Sequence, residues 1–123
     1  MKILIAEDDP FLAKVYRLSF EESGYDVCFA TNGEEAIACA TKDAPDVILL
    51  DILMPKMDGF DVLAKLKDMT GLKDTPVIVL SNLGQDSDIK KAEDLGAVKY
   101  MVKGSVDIED VIEEVKKLAP KKG

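Results

Sequence analysis

The stretch DVILLDILMPKMDG, Asp46 to Gly59, decides how the chain is read. Val47 to Leu50 are apolar in succession, as in a strand buried on both faces. The run meets an acid, Asp51, and continues through Ile52, Leu53, Met54, Pro55 and Met57, broken only by Lys56. A carboxylate in such company is costly unless its charge is compensated. Asp51 is therefore read as the end of a buried strand, where the chain leaves the core with a charge that needs partners.

On either side, short apolar runs alternate with amphipathic stretches. KILIA, Lys2–Ala6, reads as a first strand, and PFLAKVYRLSFEES as a helix with Leu12, Val15, Tyr16 and Ser19 on one face. Gly24 ends that helix and YDVCFA forms a second strand. Asn32, three residues before Glu35, gives GEEAIACATKD a start resembling a capping box, with Ala36, Ile37 and Ala40 as its apolar stripe. After the DVILLD strand, Asp58-Gly59 opens a helix that turns Phe60, Leu63, Ala64 and Leu66 to the core. VIVLS after Pro76 is the fourth strand, and the polar helix DSDIKKAEDLGA has Ile89, Ala92 and Leu95 as apolar contacts. KYMVK is a short fifth strand. The last helix, IEDVIEEVKKLA, carries Ile108, Val111, Ile112, Val115 and Leu118 on one stripe until Pro120 stops it. Five strands alternating with five helices imply one doubly wound α/β domain with a parallel sheet. It spans residues 1–119, with a solvated Lys-rich tail at 120–123.

Composition narrows the function. The 123 residues suit one core, and 16 basic against 24 acidic residues leave a net charge of −8. That balance excludes a general nucleic-acid binder and disfavours anionic membranes. Arg17 is the sole Arg and there is no His, so a His-based triad or metal site is excluded. Cys28 and Cys39 match no metal or redox spacing and read as reduced thiols of a cytoplasmic protein. MKILIAEDDP lacks the apolar core of a signal peptide, and no apolar run approaches membrane-spanning length.

A parallel sheet binds ligands at the carboxyl ends of its strands, near the switch in strand order. The first strand ends in Glu7-Asp8-Asp9, the third in Asp51, the fourth in Ser81 and the fifth in Lys103. Clustered carboxylates repel, and a hard divalent cation such as Mg²⁺ relieves this through oxygen ligands. A hydroxyl and an ammonium beside that cation suit phosphoryl oxygens. An Asp so surrounded is equipped to take phosphate as an acyl phosphate. Each residue alone has a simpler reading. Asp9 before Pro10 suits a helix cap, Ser81 a bond to nearby backbone, Lys103 a solvated charge and Tyr100 a core aromatic. The conjunction of four strand ends carries the weight.

With these residues in view, the sequence resembles the receiver domain of two-component response regulators. ILIAEDDP, PDVILLDILMPKMDGFDVL, PVIVLS and GAVKYMVK carry the resemblance over essentially the whole chain. It implies a flavodoxin-like sheet of order 2-1-3-4-5. It implies Asp51 as phosphoacceptor, and Mg²⁺ held by Glu7, Asp8, Asp51 and the Leu53 backbone carbonyl. Ser81 and Lys103 would meet the phosphoryl group, Ser81 and Tyr100 would act as the switch pair, and Pro55 and Gly59 match the loop after the phosphoacceptor. The implied function is a signalling switch rather than an enzyme. It would be phosphorylated by a sensor histidine kinase or a histidine phosphotransfer protein. Its output surface would be the fourth helix, fifth strand and fifth helix, acting on a downstream protein target or through a homodimer. Gly104 departs from the family's usual Pro after the Lys, so no cis peptide is expected there. Asn82 stands where a small residue is usual, and Leu53 and Leu83 are apolar where the family places the residues that flank attacking water.

Three rivals are weaker. A Mg²⁺-dependent phosphatase of the haloacid-dehalogenase kind needs a second Asp where this chain has Leu53. An FMN-binding flavodoxin needs a phosphate cradle where this chain has EDDP, and no GxGxxG or P-loop pattern is present. A pseudo-receiver acting without phosphorylation does not need the full acid, Ser and Lys set. Whether the chain stands alone or belongs to a longer regulator is left open by the sequence.

Overall fold

The computed structural model describes residues 1–118. The Pro120 helix stop, the domain boundary and the Lys-rich tail lie outside the described residues. The elements run β1 Lys2–Ala6, α1 Pro10–Glu22, β2 Asp26–Ala30, α2 Gly33–Asp43, β3 Val47–Leu50 and α3 Gly59–Lys67. They continue β4 Val77–Ser81, α4 Asp86–Asp94, β5 Lys99–Val102, a 3-10 turn Lys103–Ser105 and α5 Ile108–Leu118. All strand pairings are parallel, in the order β2-β1-β3-β4-β5. This is the doubly wound parallel sheet expected from the alternation, in the strand order that the resemblance implies. The register sets Ala6 opposite Leu50, so Glu7 and Asp51 leave the sheet side by side.

Alternation along the strands builds two cores. Leu4, Ala6, Ile48, Leu50, Val77 and Val79 face α2, α3 and α4. Ile3, Ile5, Val47, Leu49, Ile78 and Leu80 face α1 and α5. Every residue of β3 and β4 is buried, which accounts for their unbroken apolar runs.

Two helix faces differ from those expected of the sequence. The buried stripe of α1 is Ala13, Tyr16 and Phe20, whereas Val15 is exposed along with Phe11 and Leu18. In α3, Val62 joins Leu63 and Leu66 in the core, and Ala64 faces solvent. Both shifts have one cause: each helix carries more apolar residues than its stripe can bury. The capping box also lands one residue away. Asn32 accepts from the Glu35 N–H at 2.9 Å, but the Glu35 carboxylate turns to the Thr31 N–H and hydroxyl, at 2.7 and 2.6 Å. Lys103 begins the 3-10 turn instead of closing β5, and no cis peptide occurs among the described residues.

Candidate functional site

The switch in strand order lies between β1 and β3, where the chain departs to opposite sides of the sheet. A pocket of about 310 Å³ opens there, lined by Glu7, Asp8, Asp9, Leu12, Asp51, Leu53, Asn82 and Lys103. Residues from the ends of four strands thus come together. Glu7 and Asp51 are only 2 % and 5 % exposed, and Ser81 is fully buried. Asp8 stands exposed at the rim.

Lys103 crosses to this edge and places its Nζ between the two buried acids. It donates to Asp51 Oδ2 at 2.9 Å and also to Glu7 Oε1. The Asp9 N–H donates to the other Glu7 oxygen at 3.2 Å, and the Leu53 N–H donates to Asp51 Oδ1 at 3.2 Å. One ammonium does not balance the acids around it. Burial pushes Glu7 up to about 7, against the stabilising bond from Lys103 and with further repulsion from Asp51. Burial alone would lower Lys103, but its bonds to Asp51 and Glu7 outweigh that and hold it above its ordinary range.

Carboxylate oxygens of Glu7, Asp8 and Asp51 lie within 4.8 Å of one another. This all-oxygen set, with excess negative charge, fits a hard divalent cation such as Mg²⁺ and offers nothing to a soft metal. Asp9 takes the simpler of its two readings and caps α1, accepting from Phe11 and Leu12 N–H at 2.9 and 3.3 Å.

Ser81 and Tyr100 meet through the backbone of Leu83. The Leu83 N–H donates to Ser81 Oγ at 3.3 Å, and the Tyr100 hydroxyl donates to the Leu83 carbonyl at 2.6 Å. Any movement of Ser81 therefore bears on the contact that anchors Tyr100. Nothing in the sequence marks this bridge, because it uses only backbone atoms of Leu83. A second, shallower groove of about 520 Å³ adjoins the pocket, with Leu53 and Leu83 among its lining residues.

Two close approaches hold the loop after β3. A Cβ on Gly59 would strike the Asp51 carbonyl and come within 2.7 Å of Ile52 Cα. A Cβ on Gly33, at the start of α2, would strike the Met57 carbonyl oxygen and lie 2.7 Å from the carbonyl carbon. Gly59 stands out in the sequence as part of the loop motif; Gly33 does not, because its neighbour Met57 is distant along the chain.

An α/β domain whose strand ends gather acids, a hydroxyl and an ammonium around one buried Asp has the form of a phosphoacceptor switch. The chain belongs to the response regulator receiver domain family, whose pattern matches residues 3–116. It is 38 % identical over 117 residues to the DNA-binding dual master transcriptional regulator RpaA of Synechocystis sp., a match covering 95 % of this chain and 48 % of that protein. The chain thus spans about half the length of this relative, and 15 % of a gliding motility regulatory protein of Myxococcus xanthus to which it is 32 % identical over 96 % of its own length. It is 33 % identical to the sporulation initiation phosphotransferase F of Bacillus subtilis, covering 98 % of this chain and 95 % of that one. The receiver domain of Francisella response regulator 1452 superposes with a TM-score of 0.88 at 33 % identity, over 95 % of this chain and 94 % of that one.

Proposed function

We propose that the domain is a signalling switch that accepts a phosphoryl group on Asp51. The donor is the phosphohistidine of a sensor histidine kinase or a histidine phosphotransfer protein. The observation that carries this reading is the buried Asp51 carboxylate, held by Lys103 within reach of two further carboxylates. Glu7, Asp8, Asp51 and the Leu53 carbonyl would hold Mg²⁺, which would supply positive charge to the phosphoryl oxygens. Asp51 attacks phosphorus through a carboxylate oxygen. The new O–P bond forms as the donor's N–P bond breaks, and the imidazole leaves. Lys103 moves from the free carboxylates to a phosphoryl oxygen, and the Ser81 hydroxyl donates to another.

The Ser81 movement withdraws its oxygen from the Leu83 N–H and loosens the loop that Tyr100 grips. Tyr100 then moves into the space that Ser81 leaves. The surface of α4, β5 and α5 changes shape, which docks a protein target or a second copy of the chain. α4 is suited to this: Ala92 is its only buried residue and Gln85 caps it without a side-chain bond. The Bacillus relative is named a phosphotransferase, which supports a place in a relay. The reading places the protein in the cytoplasm, with residues 1–119 as the switch and 120–123 as a tail.

Hydrogen exchange before and after phosphorylation by a phosphohistidine donor tests the reading. Faster exchange in α4 is expected. Phosphorylation that leaves α4, β5 and α5 unchanged would refute this route of signalling.

A further inference from the structure

Away from the phosphoacceptor pocket, a second group of reactive side chains sits at the β2 edge. Cys28, in the middle of β2, points to the face covered by α2 and packs with Ala36 and Ala40. Cys39 on α2 packs against the same cluster, with its Sγ 3.6 Å from the carbonyl of Phe29, the residue next to Cys28. Strand and helix thus set Cys39 against the backbone of β2 beside Cys28, within one apolar cluster. Both thiols are free; Cys28 is buried and Cys39 is half-exposed. Asp43, one helical turn beyond Cys39, is partly exposed and pairs with Lys2 at 3.7 Å. The sequence spacing of the cysteines matches no redox motif, because strand and helix bring them together only in the fold.

We propose that Cys28 and Cys39 form a reversible dithiol–disulfide site that hydroperoxides oxidise. The more accessible Cys39 sulfur attacks the peroxide O–O bond. It gains one oxygen as a sulfenic acid, and the other oxygen leaves as water or alcohol. The Cys28 sulfur then attacks the Cys39 sulfur. The S–S bond forms and the S–O bond breaks, and the departing hydroxide leaves as water after taking up a proton. That proton is the one Cys28 gives up. Two thiols have then lost two electrons and two protons, and the peroxide has been reduced by the same amount.

Exposure sets the order of the steps. Burial, with the neighbouring carboxylate and thiol, pushes the Cys28 thiol up, so it stays protonated until an oxidised sulfur lies beside it. The resulting link ties β2 to α2 and constrains the unfolded chain. The site is independent of Asp51 chemistry.

The test treats the reduced full chain with stoichiometric hydrogen peroxide under metal-free conditions, then blocks remaining thiols in denaturant. Intact mass, peptide mapping and a non-reducing gel follow. The expected product is a monomer two hydrogens lighter, with residues 28 and 39 linked, no blockable thiol, and reversal by dithiothreitol. Its thermal midpoint should exceed that of the reduced chain. Cys28→Ala should retain the sulfenic acid without the internal link, and Cys39→Ser should leave Cys28 largely unoxidised. A cross-linked dimer, a sulfinic acid at Cys39 with Cys28 still blockable, or two intact thiols would overturn the proposal.

Discussion

Replacing Lys103 with Met removes the ammonium that faces two buried carboxylates while keeping most of the side-chain volume. Lys103, Glu7 and Asp51 side chains are 10 %, 3 % and 6 % exposed, so water cannot simply take its place. Breaking a buried pair of this kind costs about 3 kcal/mol or more. The loss should depend on pH in a definite direction. Glu7 is pushed up from 4.5 to about 7 in the native fold, so its contribution is fully present below 4.5 and lost as pH rises through about 7. That rise is worth about 3 kcal/mol, and above about pH 7 the native chain has no more of it to lose. Without Lys103, Glu7 holds its proton to higher pH, and the variant continues to lose about 1.4 kcal/mol per pH unit beyond that point. The gap between variant and native chain, read from urea unfolding, should widen by about 2 kcal/mol between about pH 6.5 and pH 8.5. Millimolar Mg²⁺ should narrow it, since the cation and the ammonium compensate the same acids. A gap constant in pH and indifferent to Mg²⁺ would refute this account of the pocket's electrostatics.

Other expectations follow from particular residues. Leu53 is 52 % exposed beside the pocket and, like Leu83, has no group to orient water; Leu53→Asn and Leu83→Glu should each shorten the phosphoryl lifetime, measured by loss of label. Unchanged decay in both would show that these positions do not govern hydrolysis. Gly59→Ala should destabilise by about 2 kcal/mol or more in chemical unfolding, because its Cβ meets backbone atoms of Asp51 and Ile52 that cannot yield easily. Lys56 holds a left-handed backbone at φ 68°, so Lys56→Gly should raise stability by about 1 kcal/mol in the same assay, and a loss would show that its side chain matters more than its backbone.

The sheet was legible because β1, β3 and β4 are buried on both faces, and a short apolar run such as Val47–Leu50, bounded by acids, suits a strand covered on both sides. The convergence of Glu7, Asp8, Asp51, Ser81 and Lys103 followed from a parallel sheet, which sends every strand end to one edge. Helix faces were harder. Val15 and Ala64 sit at spacings compatible with the core, yet Ala13 and Val62 occupy it, since periodicity fixes a stripe only to within a neighbouring position. Contacts made by backbone atoms left no trace in residue types. The Leu83 bridge between Ser81 and Tyr100 is one case, and the approach of Gly33 to Met57 is another. The approach of Cys39 to β2 beside Cys28 was hidden for a related reason, since it depends on how α2 lies over β2.

The most direct measurement is the intact mass of the native chain and of Asp51→Asn after incubation with a small acyl phosphate, with and without Mg²⁺. A gain of one phosphoryl group in the native chain that requires Mg²⁺ and is absent from Asp51→Asn is the predicted result. No gain in the native chain, or an equal gain in the variant, would contradict the assignment of Asp51 as phosphoacceptor.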